Sequence, residues 1–198
     1  MRPLFMLFCL AVSLGSRAEE AAAPAAQTGW GLPQLMQSLA QVKQTQGRFA
    51  EKKYLAVLDV PLTSSGTLSF TAPGHLEKHT LEPKEESLVL DAGVLTIENR
   101  ARKQKHTLVV QQYPAVWAFV ESIRSTLAGD LATLERFYKV QLKGDAAKWR
   151  MKLLPREKQA GSMVKEIVVS GRGDRVTGIE MLEINGDSAV MTVTEERP

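Results

Sequence analysis

Cysteine is nearly absent from this chain of 198 residues: Cys9 stands alone, and nothing after it carries a thiol. Disulfide staples and paired-cysteine motifs are thereby excluded, so stability must come from a packed core. Histidine is almost as scarce, at three residues, and these do not form the H-E-x-x-H zinc signature. Neither a nucleophile elbow nor a Gly-rich phosphate loop occurs, which removes the commonest hydrolase and nucleotide-binding plans. After Leu14 no apolar run approaches the roughly 20 residues that a membrane-spanning helix needs. An excess of one charge sign is also lacking. Lys+Arg number 25 against 22 Asp+Glu, and the densest basic run, Arg100 to His106, falls between two strand-like segments. That placement reads as a solvated turn, not as the clustered basic face of a nucleic-acid binder.

What is present begins with an export signal. Arg2 supplies a positive start, Leu4 to Leu14 is an apolar stretch broken only by Ser13, and Ser16-Arg17-Ala18 places small residues where a signal peptidase cuts. Residues 1–18 are expected to be removed, 19–28 to form a disordered Ala/Pro-rich leader, and 29–198 to fold as one domain. Phe8, before Cys9, stands where a lipid-anchor signal requires a small residue. Loss of Arg2 and Arg17 leaves 23 basic residues against 22 acids, a net charge of +1. The expectation is an exported, soluble protein, a monomer with no nucleic acid as partner.

Hydropathic period organises the rest. Leu32, Leu35, Met36, Leu39 and Val42 recur at helical spacing, with Pro33 in the first turn and Gly47 as the stop. From Phe49 to Leu58 the period falls to two, which predicts a strand. Ser64-Ser65-Gly66 predicts a turn into Thr67–Thr71, and Pro73-Gly74 another into His75–Leu81. Ser87–Leu90 and Val94–Glu98 flank a hairpin loop at Asp91-Ala92-Gly93, and Gln104–Val110 closes the meander. After Tyr113-Pro114, a second helical stripe (Val116, Trp117, Val120, Ile123, Leu127) ends at Gly129. Asp130 then predicts the N-cap of a short helix carrying Leu131, Leu134 and Phe137. Further strands follow at Tyr138–Lys143, Trp149–Leu154, Val164–Ser170, Val176–Ile184 and Ser188–Thr194. Short joins imply antiparallel neighbours, and a sheet of about eleven strands must curl, close or split. The predicted class is α+β: a strongly curved antiparallel sheet, an incomplete half-barrel, covered by a lid of helices.

Candidate chemistry is sparse. His75, Glu77 and His79 alternate on one strand and share a face, the residue types that could hold a metal. Flanking Pro73-Gly74 and Pro83 make that face a solvated one, and no metal or cofactor is expected. Gly171-Arg172-Gly173-Asp174 spells RGD, but between strands it reads as a Gly-rich turn. No serine sits in a strained-turn context, so no catalytic residue is assigned and an enzyme is not expected. The positive signal is apolar alternation: Leu68/Phe70, Leu88/Leu90, Trp149/Met151/Leu153 and Met191/Val193, facing the stripe Trp117, Val120, Ile123 and Leu127. In an ordinary domain these fill a core. They line a cavity if the sheet curves too widely for its own side chains to fill.

Several segments together carry a family resemblance. Gly66-Thr67-Leu68-Ser69-Phe70, Ala72-Pro73-Gly74-His75-Leu76-Glu77-Lys78, Pro83 and Asp91-Ala92-Gly93-Val94-Leu95 resemble the core of the LolA family of periplasmic lipoprotein carriers. Gly47-Arg48-Phe49-Ala50-Glu51 is similar to that family's strand after its first helix. Trp149 to Pro155 is similar to its strand after the helical insert. The resemblance implies an incomplete barrel, closed by helices, whose interior shelters acyl chains. It further implies traffic from an inner-membrane releasing complex or exporter to an outer-membrane acceptor. On that basis Leu68, Phe70, Leu88, Leu90, Trp117, Val120, Ile123, Leu127, Trp149, Met151, Leu153, Met191 and Val193 are expected to bind lipid. The helix Val116–Leu127 is expected to act as lid. Ala72 stands where the family carries a basic residue before proline, Lys78 stands near its aromatic, and Ala92 lengthens its Asp-Gly turn; no residue is assigned as a lid lock. A carrier of glycolipid or aryl-polyene lipid, or a fully packed envelope interaction module, is the alternative reading.

Overall fold

The computed structural model describes residues 29–156 and 163–196. The expected signal peptide and leader, residues 1–28, lie outside the described residues. Helix α1 (Leu32–Gln41) leads into strands β1 (Gln44–Tyr54), β2 (Leu62–Thr71), β3 (His75–Glu82), β4 (Glu86–Asp91), β5 (Val94–Asn99) and β6 (Gln104–Val109). A 3₁₀ turn at Val110–Gln112 precedes α2 (Pro114–Ala128) and α3 (Leu131–Phe137). Strands β7 (Tyr138–Gly144), β8 (Trp149–Pro155), β9 (Val164–Arg172), β10 (Arg175–Glu183) and β11 (Ser188–Glu195) complete the chain. All eleven join one antiparallel sheet in the order β6-β5-β4-β3-β2-β1-β11-β10-β9-β8-β7. The sheet does not close: β6 and β7 remain its free borders. Among the described residues, no helix is long and apolar enough to cross a membrane.

Local boundaries differ from the sequence reading in three places. Helix α1 stops at Gln41, where Val42 turns extended, and Gly47 is a strand residue facing Leu68 and Glu195. A Cβ at Gly47 would lie 2.8 Å from the Thr194 carbonyl oxygen, so glycine serves close strand contact there rather than a helix stop. Strand β1 accordingly begins five residues before Phe49. Ser64-Ser65-Gly66 is not a turn but the interior of β2, and the chain reverses at residues 55–61. Gly66 lies under the β3 backbone at a bulge, where a Cβ would fall 1.9 Å from the His79 carbonyl oxygen. Small polar residues at a bulge look like a turn when only the sequence is read.

Other boundaries follow their chemistry. Asp130 Oδ1 accepts the Thr133 backbone N–H at 3.0 Å, capping α3. Gly129 ends α2 with φ of 66° and presses on α1, where a Cβ would lie 2.2 Å from the Met36 carbonyl oxygen. Pairing of Asp91 with Val94 makes a two-residue hairpin loop, so Ala92 does not lengthen it. Ala92 sits at φ of 46° and Gly93 at 79°. Such turns want Asn-Gly, because alanine resists the left-handed region.

One large core holds α1, α3 and the β7–β10 half of the sheet. Leu35, Met36 and Leu39 of α1 and Leu134 of α3 pack on Tyr138, Trp149, Met151, Leu153, Ile167 and Val169. A smaller cluster joins Leu90, Leu95, Val110 and Val120. Replacing Ala92 with Asn should raise stability by about 0.5 kcal/mol, read as a higher thermal midpoint. An unchanged or lower midpoint would show that the turn is not strained.

Candidate functional site

Between those two cores the inner face of the sheet is left uncovered. The resulting hollow has a volume of about 490 Å³. Its floor comes from Leu68 and Phe70 of β2, Leu76 of β3, Leu88 and Leu90 of β4, and Leu95 and Ile97 of β5. Met191 and Val193 of β11, with Ile179 and Met181 of β10, make the far wall. Val116, Val120, Ile123 and Leu127 of α2 look down from above.

Nine of the thirteen sequence-selected residues lie on this hollow: Leu68, Phe70, Leu88, Leu90, Val120, Ile123, Leu127, Met191 and Val193. The other four are placed elsewhere. Trp149, Met151 and Leu153 sit in the large core under α1 and α3, with no more than 1% exposure. Trp117 packs edge-on against Phe137, ring centroids 5.1 Å apart. Strand alternation marks the three β8 residues as inward-facing but does not say which part of the inner face a helix covers. Leu76, Leu95, Ile97, Ile179 and Met181 were not selected, although the same period-two pattern reaches them.

Helix α2 is covered on two sides. Opposite its apolar stripe, Ala118, Ser122, Ser125 and Thr126 are buried. Ser122 Oγ donates to the Phe119 carbonyl and Thr126 Oγ1 to the Ser122 carbonyl, both at 2.6 Å. Self-satisfied hydroxyls allow a polar-looking face to be buried at little cost. Tyr138 lies close by, its hydroxyl buried and without a hydrogen-bond partner among the described residues. Burial pushes its pKa up to about 12, against a smaller opposing influence from the Ser122 hydroxyl. Arg124 ties α2 to the rim, donating to the Pro73 carbonyl at 3.2 Å, Glu121 at 2.8 Å and Asp130 at 3.1 Å. Burial works to lower the Arg124 pKa, but the two carboxylates prevail and raise it.

Two charged pairs interrupt the apolar walls. Lys78 Nζ donates to Glu51 Oε2 at 2.6 Å and stands 4.7 Å above the Phe49 ring. Ser64 Oγ donates to the same carboxylate oxygen at 3.2 Å. The side chains of Lys78 and Glu51 keep 26% and 19% exposure. At the other end, Arg175 Nε lies 3.0 Å from Glu195 Oε2, and Thr45 Oγ1 donates to Glu195 Oε1 at 2.8 Å. Strand parity could have found Lys78, which shares the inward face of Leu76.

His75, Glu77 and His79 form a separate chain of contacts on β3. His75 Nε2 and His79 Nε2 lie 2.8 and 3.0 Å from the two oxygens of Glu77, and His75 Nδ1 lies 3.2 Å from Asp91. Glu77, then Asp91, hold the His75 pKa above its usual 6.5, and His75, then His79, hold Glu77 below 4.5. Among the described residues no group of three or more His, Cys, Asp or Glu side chains is arranged to hold a metal ion.

The architecture is thus an open half-barrel with an apolar hollow under one helix. The model of the family described as "Outer membrane lipoprotein carrier protein LolA-like" matches residues 21–194, and the chain belongs to that family. Three solved structures are similar at low identity. The LolA superfamily protein of Nitrosomonas europaea is 9% identical with a TM-score of 0.44, the match covering 83% of this chain and 93% of that one. A putative outer membrane lipoprotein-sorting protein domain from Vibrio parahaemolyticus is 10% identical with a TM-score of 0.45, covering 84% and 90%. The Pseudomonas aeruginosa MucA/MucB complex contributes a chain 13% identical with a TM-score of 0.46, covering 84% and 57%. Family membership rests on the sequence match alone. A comparison with curated proteins returns no match.

Lys78→Met should lower stability by about 1–2 kcal/mol, because it leaves the Glu51 charge against an apolar wall. Adding Glu51→Gln should restore most of that loss in urea unfolding; no recovery would mean that Lys78 acts by packing alone. For His75, the raised folded pKa gives stability that is present below 6.5 and lost as pH rises through the folded value. For Glu77, the lowered folded pKa gives stability that is present above 4.5 and lost as pH falls through the folded value. Both contributions coexist between 4.5 and 6.5, and the groups are exposed enough to keep them small. His75→Gln should flatten the decline in thermal midpoint above pH 6.5, and an unaltered profile would exclude this network as its cause.

Proposed function

We propose that this protein is a non-enzymatic periplasmic carrier that shelters the acyl chains of a lipid or lipoprotein between the inner and outer membranes. One observation carries the reading: the apolar hollow beneath α2, which the chain's own side chains leave unfilled. Its volume falls within the roughly 300–1,000 Å³ typical of small-molecule sites. Each acyl CH₂ withdrawn from water contributes about 0.8 kcal/mol, so a modest length of hydrocarbon gives useful affinity. Family membership supports the same assignment. A donor complex or exporter in the inner membrane and an acceptor at the outer membrane are the implied partners. A fully packed interaction module would leave no such hollow.

Release is as necessary as capture. The lid is a single helix, held at its C-terminal end by Gly129 against α1 and by Arg124. Toward the cargo space it presents Val116, Phe119, Val120, Ile123 and Leu127, while its other face stays packed on the rest of the molecule. Release needs only the sheet-facing contacts of α2 to give way, with Phe119 and Trp117 keeping it attached to the large core and to α3.

Displacement of a fluorescent fatty acid tests the proposal. The wild-type protein should bind the probe saturably, and Ile123→Glu on the lid or Val193→Glu on the far wall should weaken binding at least about tenfold. Glutamate at Leu68 is a poorer probe, because Lys78 is its cross-strand neighbour and would neutralise it. Absence of saturable binding by the wild type would end the carrier reading.

A further inference from the structure

One end of the half-barrel carries an exposed apolar rim that the hollow does not explain. Antiparallel pairing brings the end of β1, the start of β2, the end of β3, the start of β9 and the end of β10 to the same edge. The segment from Leu55 to Leu62 reads Leu-Ala-Val-Leu-Asp-Val-Pro-Leu, and it lies outside any helix for its whole length. Val57 is 87% exposed and Val60 72%, and Leu58 and Leu62 are also open. Tyr54, Leu81, Met163 and Ile184 extend the patch along the neighbouring strands. Among the described residues, eight of the eleven large exposed apolar side chains gather at this one end. Scattered apolar residues are ordinary on a protein surface, but a gathered set marks a contact surface.

The rim is built rather than loose. Ala56 donates its backbone N–H to Asp187 Oδ1 at 2.8 Å, and Leu58 donates to the Leu55 carbonyl at 3.0 Å. Ile184 donates to the Met163 carbonyl at 3.3 Å. These bonds tie the β1–β2 loop to the β10–β11 turn and Ile184 to Met163, and Val57, Leu58, Ile184 and Met163 all remain exposed. Met163 also lines the hollow, so the apolar rim and the apolar cavity are continuous.

Charge on the same edge narrows the partner. The β5–β6 turn carries Arg100, Arg102 and Lys103, followed by Lys105, and all four are exposed. Arg100 is engaged by Glu85 and Glu98; no ion pair of Arg102, Lys103, Lys105 or Lys84 is found among the described residues. Asp59, Glu82, Glu86 and Asp187 share the edge, so the positive charge is local to the β5–β6 turn. Apolar side chains flanked by unpaired cations match a bilayer interface with anionic headgroups, where the first group inserts and the second is attracted.

We propose that this rim, led by the β1–β2 loop, is a membrane-docking surface that rests the open end of the hollow on an anionic bilayer. Docking is reversible and independent of what the hollow contains. It sets the Met163 side of the hollow against the bilayer, where a hydrocarbon chain can pass between bilayer and protein without crossing water.

Flotation with lipid vesicles tests this, using the protein recovered after export and its variants. On vesicles of equal parts phosphatidylcholine and phosphatidylglycerol the wild type should float at low salt and float less as salt rises. The double variant Val57→Asp with Val60→Asp should bind at least about tenfold more weakly. Both side chains are exposed, so its thermal midpoint should match the wild type. Arg102→Glu with Lys103→Glu should lose binding on the mixed vesicles and behave as wild type on phosphatidylcholine alone. The proposal is overturned if the wild type floats with neither vesicle, or if Val57→Asp with Val60→Asp floats as well as the wild type. It is equally overturned if these rim variants lose only a protein partner while vesicle binding persists.

Discussion

The structure turns on a mismatch between an eleven-stranded inner surface and three short helices that must cover it. Helices α1 and α3 sit together on the β7–β10 half and seal it into a dry core. Only α2 remains for the other half, and one helix cannot reach across seven curved strands. The uncovered remainder is the hollow. It is therefore not carved by special residues; it arises because the same leucines, valines and methionines that would fill a core have nothing opposite them. That shortage of cover also explains why two ion pairs can survive there: the space is open enough to solvate them in part and apolar enough to keep each pair together.

Much of this architecture could be read from the sequence. The order of one helix, six strands, two helices and five strands follows from the change of hydropathic period, and the cap at Asp130 and stop at Gly129 from residue chemistry. The errors cluster where small residues act by contact instead of by turning the chain. Gly47 and Gly66 look like punctuation, yet each lies inside a strand where a neighbouring backbone leaves no room for a Cβ. Ser122, Ser125 and Thr126 look like the solvent side of α2, yet they are its buried side, because intrahelical hydrogen bonds silence their hydroxyls.

The site was legible by direction but not by depth. Period-two alternation says which side chains point inward, and it holds for Trp149, Met151 and Leu153 as well as for Leu68 and Val193. Which of them meet a helix and which meet empty space depends on where α1 and α3 come to rest, and that is a long-range matter. Lys78 and Glu51 were hidden for a different reason. A charge in a strand is read by habit as outward, whereas here two inward charges, on β1 and β3, reach across the intervening β2 and satisfy each other through a 2.6 Å contact.

An unclosed sheet has one more consequence. Its two borders, β6 and β7, each offer a row of unpaired backbone groups that another copy could extend. Both borders carry exposed lysine: Lys105 on the first, Lys139 and Lys143 on the second. Approach of a like edge would bring ammonium groups together before the amides could meet. The unclosed sheet thus comes with its own guard against fibril growth.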